Sequence, residues 1–165
     1  MASRMTTQAL PLQDAEAPLV QSAMPGTNGT RSYEEEYSKR MGARYASQPG
    51  TVVDVNTDGV VVRYANGEQE TLEAYNNFPF NRKTFIHQTP AVDIGDKFKK
   101  GQLLLKSNFT DSTGATALGK NARVAYVAWE GKNFEDAIVI SDAFAKRLKS
   151  EHMYQHDLGL DGKTE

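Results

Sequence analysis

The chain of 165 residues contains no cysteine. Disulfides and thiolate metal sites are therefore excluded, which suits a reducing cytoplasm. No stretch approaches the roughly 20 consecutive apolar residues of a membrane-spanning helix. Residues 1–12 lack the continuous apolar run of a secretory signal. Hydrophobic residues make up only 39%, tryptophan occurs once, and the net charge is −2. With so little apolar material, part of the chain is expected to be extended or to need a partner. Near-neutral charge argues against a free-standing polyanion binder, yet the charge is unevenly placed. Between residues 81 and 107, Arg82, Lys83, Lys97, Lys99, Lys100 and Lys106 face only Asp93 and Asp96. Such a patch can meet phosphate. It can equally be a solvated edge whose lysines discourage strand pairing.

What is present reads mainly as β. Residues 1–48 form an extended N-terminal segment punctuated by Pro11, Pro18 and Pro25, with two short apolar pieces at 9–12 and 17–20 that can dock elsewhere. Within it, Ser32 and Glu35 make a capping box for a short surface helix over 33–44. Glu35–Lys39 and Glu36–Arg40 have i,i+4 spacing there. Residues 49–80 predict a β-meander, with strands at 51–55, 60–64 and 69–74 joined by Asn/Asp/Gly turns. Residues 81–150 predict further strands at 86–92, from 103, at 123–129 and at 137–140, then a short helix over 142–148. Turns fall at 94–96 and 100–102, and residues 110–116 read as loop. Residues 151–165 are a polar tail. His152 and His156, with Asp157 adjacent, have the spacing of a helical metal pair, but nothing else supplies a ligand shell.

The most informative stretch is 118–141. An apolar strand pattern carries Trp129, Gly131 marks a turn, and the adjacent carboxylates Glu135 and Asp136 precede a second apolar run. A short loop between two segments that favour burial presents negative charge at a set place, as a site for magnesium or a metal-bound triphosphate requires. A solvated acidic turn would give the same pattern.

Three blocks, in order, make the chain resemble the β subunit of the bacterial-type multisubunit DNA-directed RNA polymerase and its phage relatives. The first matches at Met1, Met5, Gln8, Ala9, Pro11, Leu12, Glu16, Ala17, Pro18, Leu19, Val20 and Met24. The second matches at Asn81, Thr84, Ile86, Gln88, Pro90, Val92, Gly95, Asp96, Gly101 and Leu103. The third runs from Ala117 through Gly119, Asn121, Trp129, Gly131, Asn133 and Phe134 to Glu135, Asp136 and Ser141. Departures include Arg4, Thr6 and Thr7 in the first block, Pro79-Phe80 before Asn81, and Ala128 and Lys132 around Trp129. They suggest a divergent, phage-encoded member.

The resemblance implies a fold with a partial double-psi β-barrel over 81–150, the meander as an insertion, and short helices. It implies a part in nucleotidyl transfer, inactive alone, that positions the metal-bound incoming nucleotide and the RNA–DNA hybrid. Asp136 is then the metal contact and Glu135 tunes the local field, beside magnesium whose main ligands belong to a β′ subunit. Phe134 is read as a core anchor, Asn133 as a backbone brace and Trp129 as a packing residue. Gln8, Lys120 and Arg123 are expected to face nucleic acid. The expected partners are β′, the remainder of β, the DNA template, the RNA–DNA hybrid and ribonucleoside triphosphates, in the cytoplasm of a bacterium or phage-infected cell. The match of Met1 to an internal family methionine points to a fragment or split gene. The rival reading is a non-catalytic β-rich module that binds nucleic acid or a polymerase subunit; a structural interaction protein built on the meander is a third.

Overall fold

The computed structural model describes residues 4, 8–81, 84–154 and 156. It is mainly β with short helices, as the sequence predicts. Helix α1 spans Tyr33–Ser38. Ser32 Oγ accepts from the Glu35 N–H, and the Glu35 carboxylate accepts from the Ser32 N–H, so the capping box forms. The helix is shorter than 33–44, because the chain tightens into a 3-10 turn over Lys39–Met41 and leaves it through Gly42 at φ +95°. The expected i,i+4 pairs give way to Glu36 meeting Lys39 at 2.5 Å and Arg31 at 2.8 Å. Nor is this only a surface helix. Met41 is fully buried against Phe109, with Ala9, Tyr37 and Leu118 packed around them.

The meander forms as read. Strands β2 (Gly50–Asn56), β3 (Gly59–Tyr64) and β4 (Gln69–Glu73) pair antiparallel in succession. Gly59 follows the first turn at φ +148°, where an added Cβ would lie 2.0 Å from the Leu72 carbonyl oxygen. Only glycine allows β4 to approach so closely. A fourth strand, β8 (Lys97–Phe98), pairs with the other edge of β2. It lies between the two predicted turns, too short to show a period. Val52, Val60, Val62, Tyr64 and Phe98 bury one side of this sheet against Leu104 and Leu105.

A three-stranded sheet has the order β1 (Arg44–Tyr45), β9 (Leu103–Ser107), β7 (Gln88–Pro90). Its central strand is covered on both sides, so the neighbours Leu104 and Leu105 are both fully buried. The single strand expected at 86–92 is two: β6 (Thr84–Ile86) pairs with β5 (Phe78–Asn81), and β7 joins β9. The break is at His87. Its N–H donates to Asn108 Oδ1 (3.1 Å) and its carbonyl accepts from the Asn108 N–H (3.0 Å), so its backbone groups are diverted from the ladder.

The strands expected at 123–129 and 137–140 do not form. Residues 121–129 and 137–140 have no ladder partner among the described residues. A strand is stable only when another pairs with it. From Ala122 to Lys149 almost every residue is exposed, including Tyr126 at 100% and Ile138 at 85%. Helix α2, Asp142–Arg147, does form, capped by Ser141 Oγ accepting from the Phe144 N–H (3.1 Å). Among the described residues, no helix is long and apolar enough to cross a membrane.

Candidate functional site

The exposed segment from 122 to 148 is an arm with a folded tip. Glu130 (φ +51°) and Gly131 (φ +73°) have the φ signs of a type I′ turn, closed by the Lys132 N–H on the Trp129 carbonyl at 2.8 Å. That turn matches the twist of a β-hairpin. Asn133 then does what a ladder would do. Its Oδ1 accepts from the Trp129 N–H (2.8 Å) and its Nδ2 donates to the Val127 carbonyl (2.7 Å). The brace expected of Asn133 is therefore present. Phe134 does not anchor a core in this chain, being 76% exposed, and Trp129 is half-exposed. Both rings lack the strands that would cover them.

Glu135 and Asp136 follow at once, both exposed. Glu135 holds φ +56°, a left-handed conformation that costs a residue with a Cβ about 1–2 kcal/mol. Among the described residues, no group of three or more His, Asp or Glu could hold a metal ion. The pair thus offers two carboxylates at most. That donor set fits magnesium, which takes one or two carboxylates and fills its octahedron with phosphate oxygens and water. His152 and His156 lack the helix their spacing requires: residues 151–154 are not helical, and His152 Nε2 lies 2.9 Å from Ser150 Oγ. Asp157 lies outside the described residues.

The base of the arm is held by the N-terminal segment, a connection with no sequence signal. Residues 11–13 lie antiparallel to 149–151, with the Gln13 N–H on the Lys149 carbonyl (2.9 Å) and the Glu151 N–H on the Pro11 carbonyl (2.8 Å). The Glu16 N–H reaches the Gly119 carbonyl at 2.8 Å. The Glu16 carboxylate accepts from the Asn121 N–H (2.9 Å) and from Arg147 Nη2 (2.5 Å), with Lys120 Nζ at 3.6 Å. The Asn121 N–H, then the Arg147 guanidinium, hold its pKa down at about 2. One side chain thus joins the entry and exit of the arm.

The expected nucleic-acid contacts are dispersed. Gln8 and Arg123 are exposed, whereas the Lys120 ammonium donates to the Asp14 carbonyl. Lys120 lines an open groove of about 830 Å³ with His87 and Lys106, but Asp14, Glu16, Asp111 and Glu151 line it too, so the groove is not a basic channel. The other basic residues lie elsewhere: Lys97, Lys99 and Lys100 are exposed on β8 and the turn after it. Arg82 and Lys83 lie outside the described residues.

Comparison with known proteins bears on this arrangement. A family model described as RNA polymerase Rpb2, domain 6, matches residues 45–160. The chain is 36% identical over 160 residues to proteins named DNA-directed RNA polymerase subunit beta from two strains of Thermus thermophilus. The alignment covers 96% of this chain and 14% of each relative, so the chain spans about a seventh of their length.

Proposed function

Because the chain belongs to the bacterial-type RNA polymerase β-subunit family, we propose that it places a carboxylate loop at the active centre of a DNA-directed RNA polymerase. The observation that carries this is the arm: a hairpin-type turn braced by Asn133, ending in a strained Glu135 and an exposed Asp136, with bare apolar flanks. Backbone strain persists where the surroundings or the function require it. The flanks are those of strands awaiting partners, which supports a double-psi β-barrel that residues 81–150 build only in part. The remainder of β would complete it and β′ would face it.

Nucleotidyl transfer is mostly positioning and charge neutralisation. Magnesium, when bound, neutralises triphosphate charge and orients the reacting oxygens. In this proposal Asp136 holds that ion to the loop, directly or through water, and Glu135 adds negative field beside it. The main ligands come from β′, because this pair alone is too small a shell. The braced turn orients both acids, while Gln8, Lys120 and Arg123 are assigned to the template and hybrid backbone. The substrates are ribonucleoside triphosphates and the setting is the cytoplasm.

The test is co-expression with the neighbouring genes, followed by primer extension with Asp136→Ala in the assembled enzyme. Magnesium-dependent extension should fall about 10- to 100-fold, the range for losing a group that supports a metal. Unchanged extension would sink the catalytic assignment.

A further inference from the structure

We infer that Glu16 is a positioning residue for the carboxylate loop. It rests on the proposal above that the loop acts in nucleotidyl transfer. The arm is tied back to the body of the chain at its two ends, and Glu16 touches both. Its backbone N–H binds Gly119 on the way in, and its carboxylate binds the Asn121 N–H there and the Arg147 guanidinium on the way out. These contacts bridge 105 and 131 residues of sequence. Asn121 strengthens the entry side by donating from Nδ2 to the Ala17 carbonyl (2.8 Å). Between those ends the arm has no ladder among the described residues, so the direction in which Glu135 and Asp136 are presented depends on how its ends are held. A salt bridge that fixes both ends limits that direction. Its loss would leave the tip intact, since Asn133 braces it locally. The base of the arm would remain held by the backbone bonds of 11–13 with 149–151 and of Glu16 with Gly119, and the arm would swing over a wider range.

The two effects separate by experiment. Glu16→Gln keeps the side-chain shape and removes the charge, and Arg147→Gln removes the partner. In the assembled polymerase, each variant should slow single-turnover nucleotide addition per active complex about ten- to a hundredfold, the scale expected when positioned groups move by up to an ångström. The double variant should be no slower than the worse single one, because both break one coupling. A merely structural role would lower the yield of assembled enzyme and leave the rate per complex unchanged; rates within twofold of wild type in both variants overturn the inference. A second readout needs no activity. Trp129, the only tryptophan, sits on the arm, and its fluorescence anisotropy in the full chain should fall in both variants. Unchanged anisotropy overturns the clasp itself. If Asp136→Ala leaves extension intact while anisotropy falls in the Glu16 variant, the catalytic reading fails, Glu16 positions no chemistry, and only its mechanical hold on the arm survives.

Discussion

At the scale of single residues, Glu16 and Asn133 do different work on the same arm. Asn133 shapes the tip through two local hydrogen bonds, whereas Glu16 joins the ends through contacts distant in sequence. The carboxylate also makes the clasp pH-dependent. Its folded pKa of about 2 lies below the ordinary value of 4.5, so its stabilisation is complete above pH 4.5 and is lost as pH falls toward 2. Trp129 anisotropy should therefore be flat from pH 7 to 5 and drop between pH 4.5 and 2. Glu36 also has a lowered pKa, from Lys39 first, and it titrates in the same direction. Glu16→Gln is the control: its anisotropy should already be low at pH 7 and change little on acidification. An equal acid transition in that variant would assign the effect to other carboxylates.

At the scale of elements, the contrast is between structures that close locally and one that cannot. Helix α1 is one turn and a half, defined by its capping box and by the acidic residues Glu34, Glu35 and Glu36 near its positive end. Ser32→Ala should cost about 1 kcal/mol. Strand β9 lies at the other extreme, because Leu104 is fully buried where the two larger sheets meet. Leu104→Ala should cost about 2–5 kcal/mol through lost transfer energy and the cavity left behind. Urea denaturation of both variants checks the ordering. A larger loss at Ser32 than at Leu104 would mean that the core is not at the junction of the sheets.

At the scale of the whole molecule, one part of the chain is packed and another is left open. The meander sheet and the β1-β9-β7 sheet share a buried core, but Val124, Tyr126, Phe134 and Ile138 stand in solvent at 65%, 100%, 76% and 85% exposure. Such a run of bare apolar side chains beside unpaired backbone is an association surface. The full chain alone should self-associate in a concentration-dependent way in sedimentation velocity. Tyr126→Lys with Ile138→Lys should suppress that association and, in co-expression, also block incorporation into the polymerase. Self-association that persists undiminished would move the sticky surface elsewhere, with exposed Leu19 and Val20 the next place to look.

The sequence by itself determined the features that act over a few residues. β-Branched runs and Asn/Asp/Gly turns specified the meander, the Ser32–Glu35 capping box specified the start of α1, and three ordered motif blocks carried the resemblance to the family. These depend on backbone propensity, local hydrogen bonds and side-chain period, all contained in a short window. Tertiary structure alone decided the rest. The pairing of β8 with β2 rests on two residues, too few to carry a period. The break at His87 depends on Asn108, 21 residues away, and the burial of Gln88 on carrying its amide to the Gly42 carbonyl and the Tyr75 N–H. The clasp at Glu16 required chain closure over more than a hundred residues. The arm shows the same limit from the other side. Its apolar pattern is that of strands, but a strand exists only with a neighbour to accept its hydrogen bonds, and the described residues do not supply one.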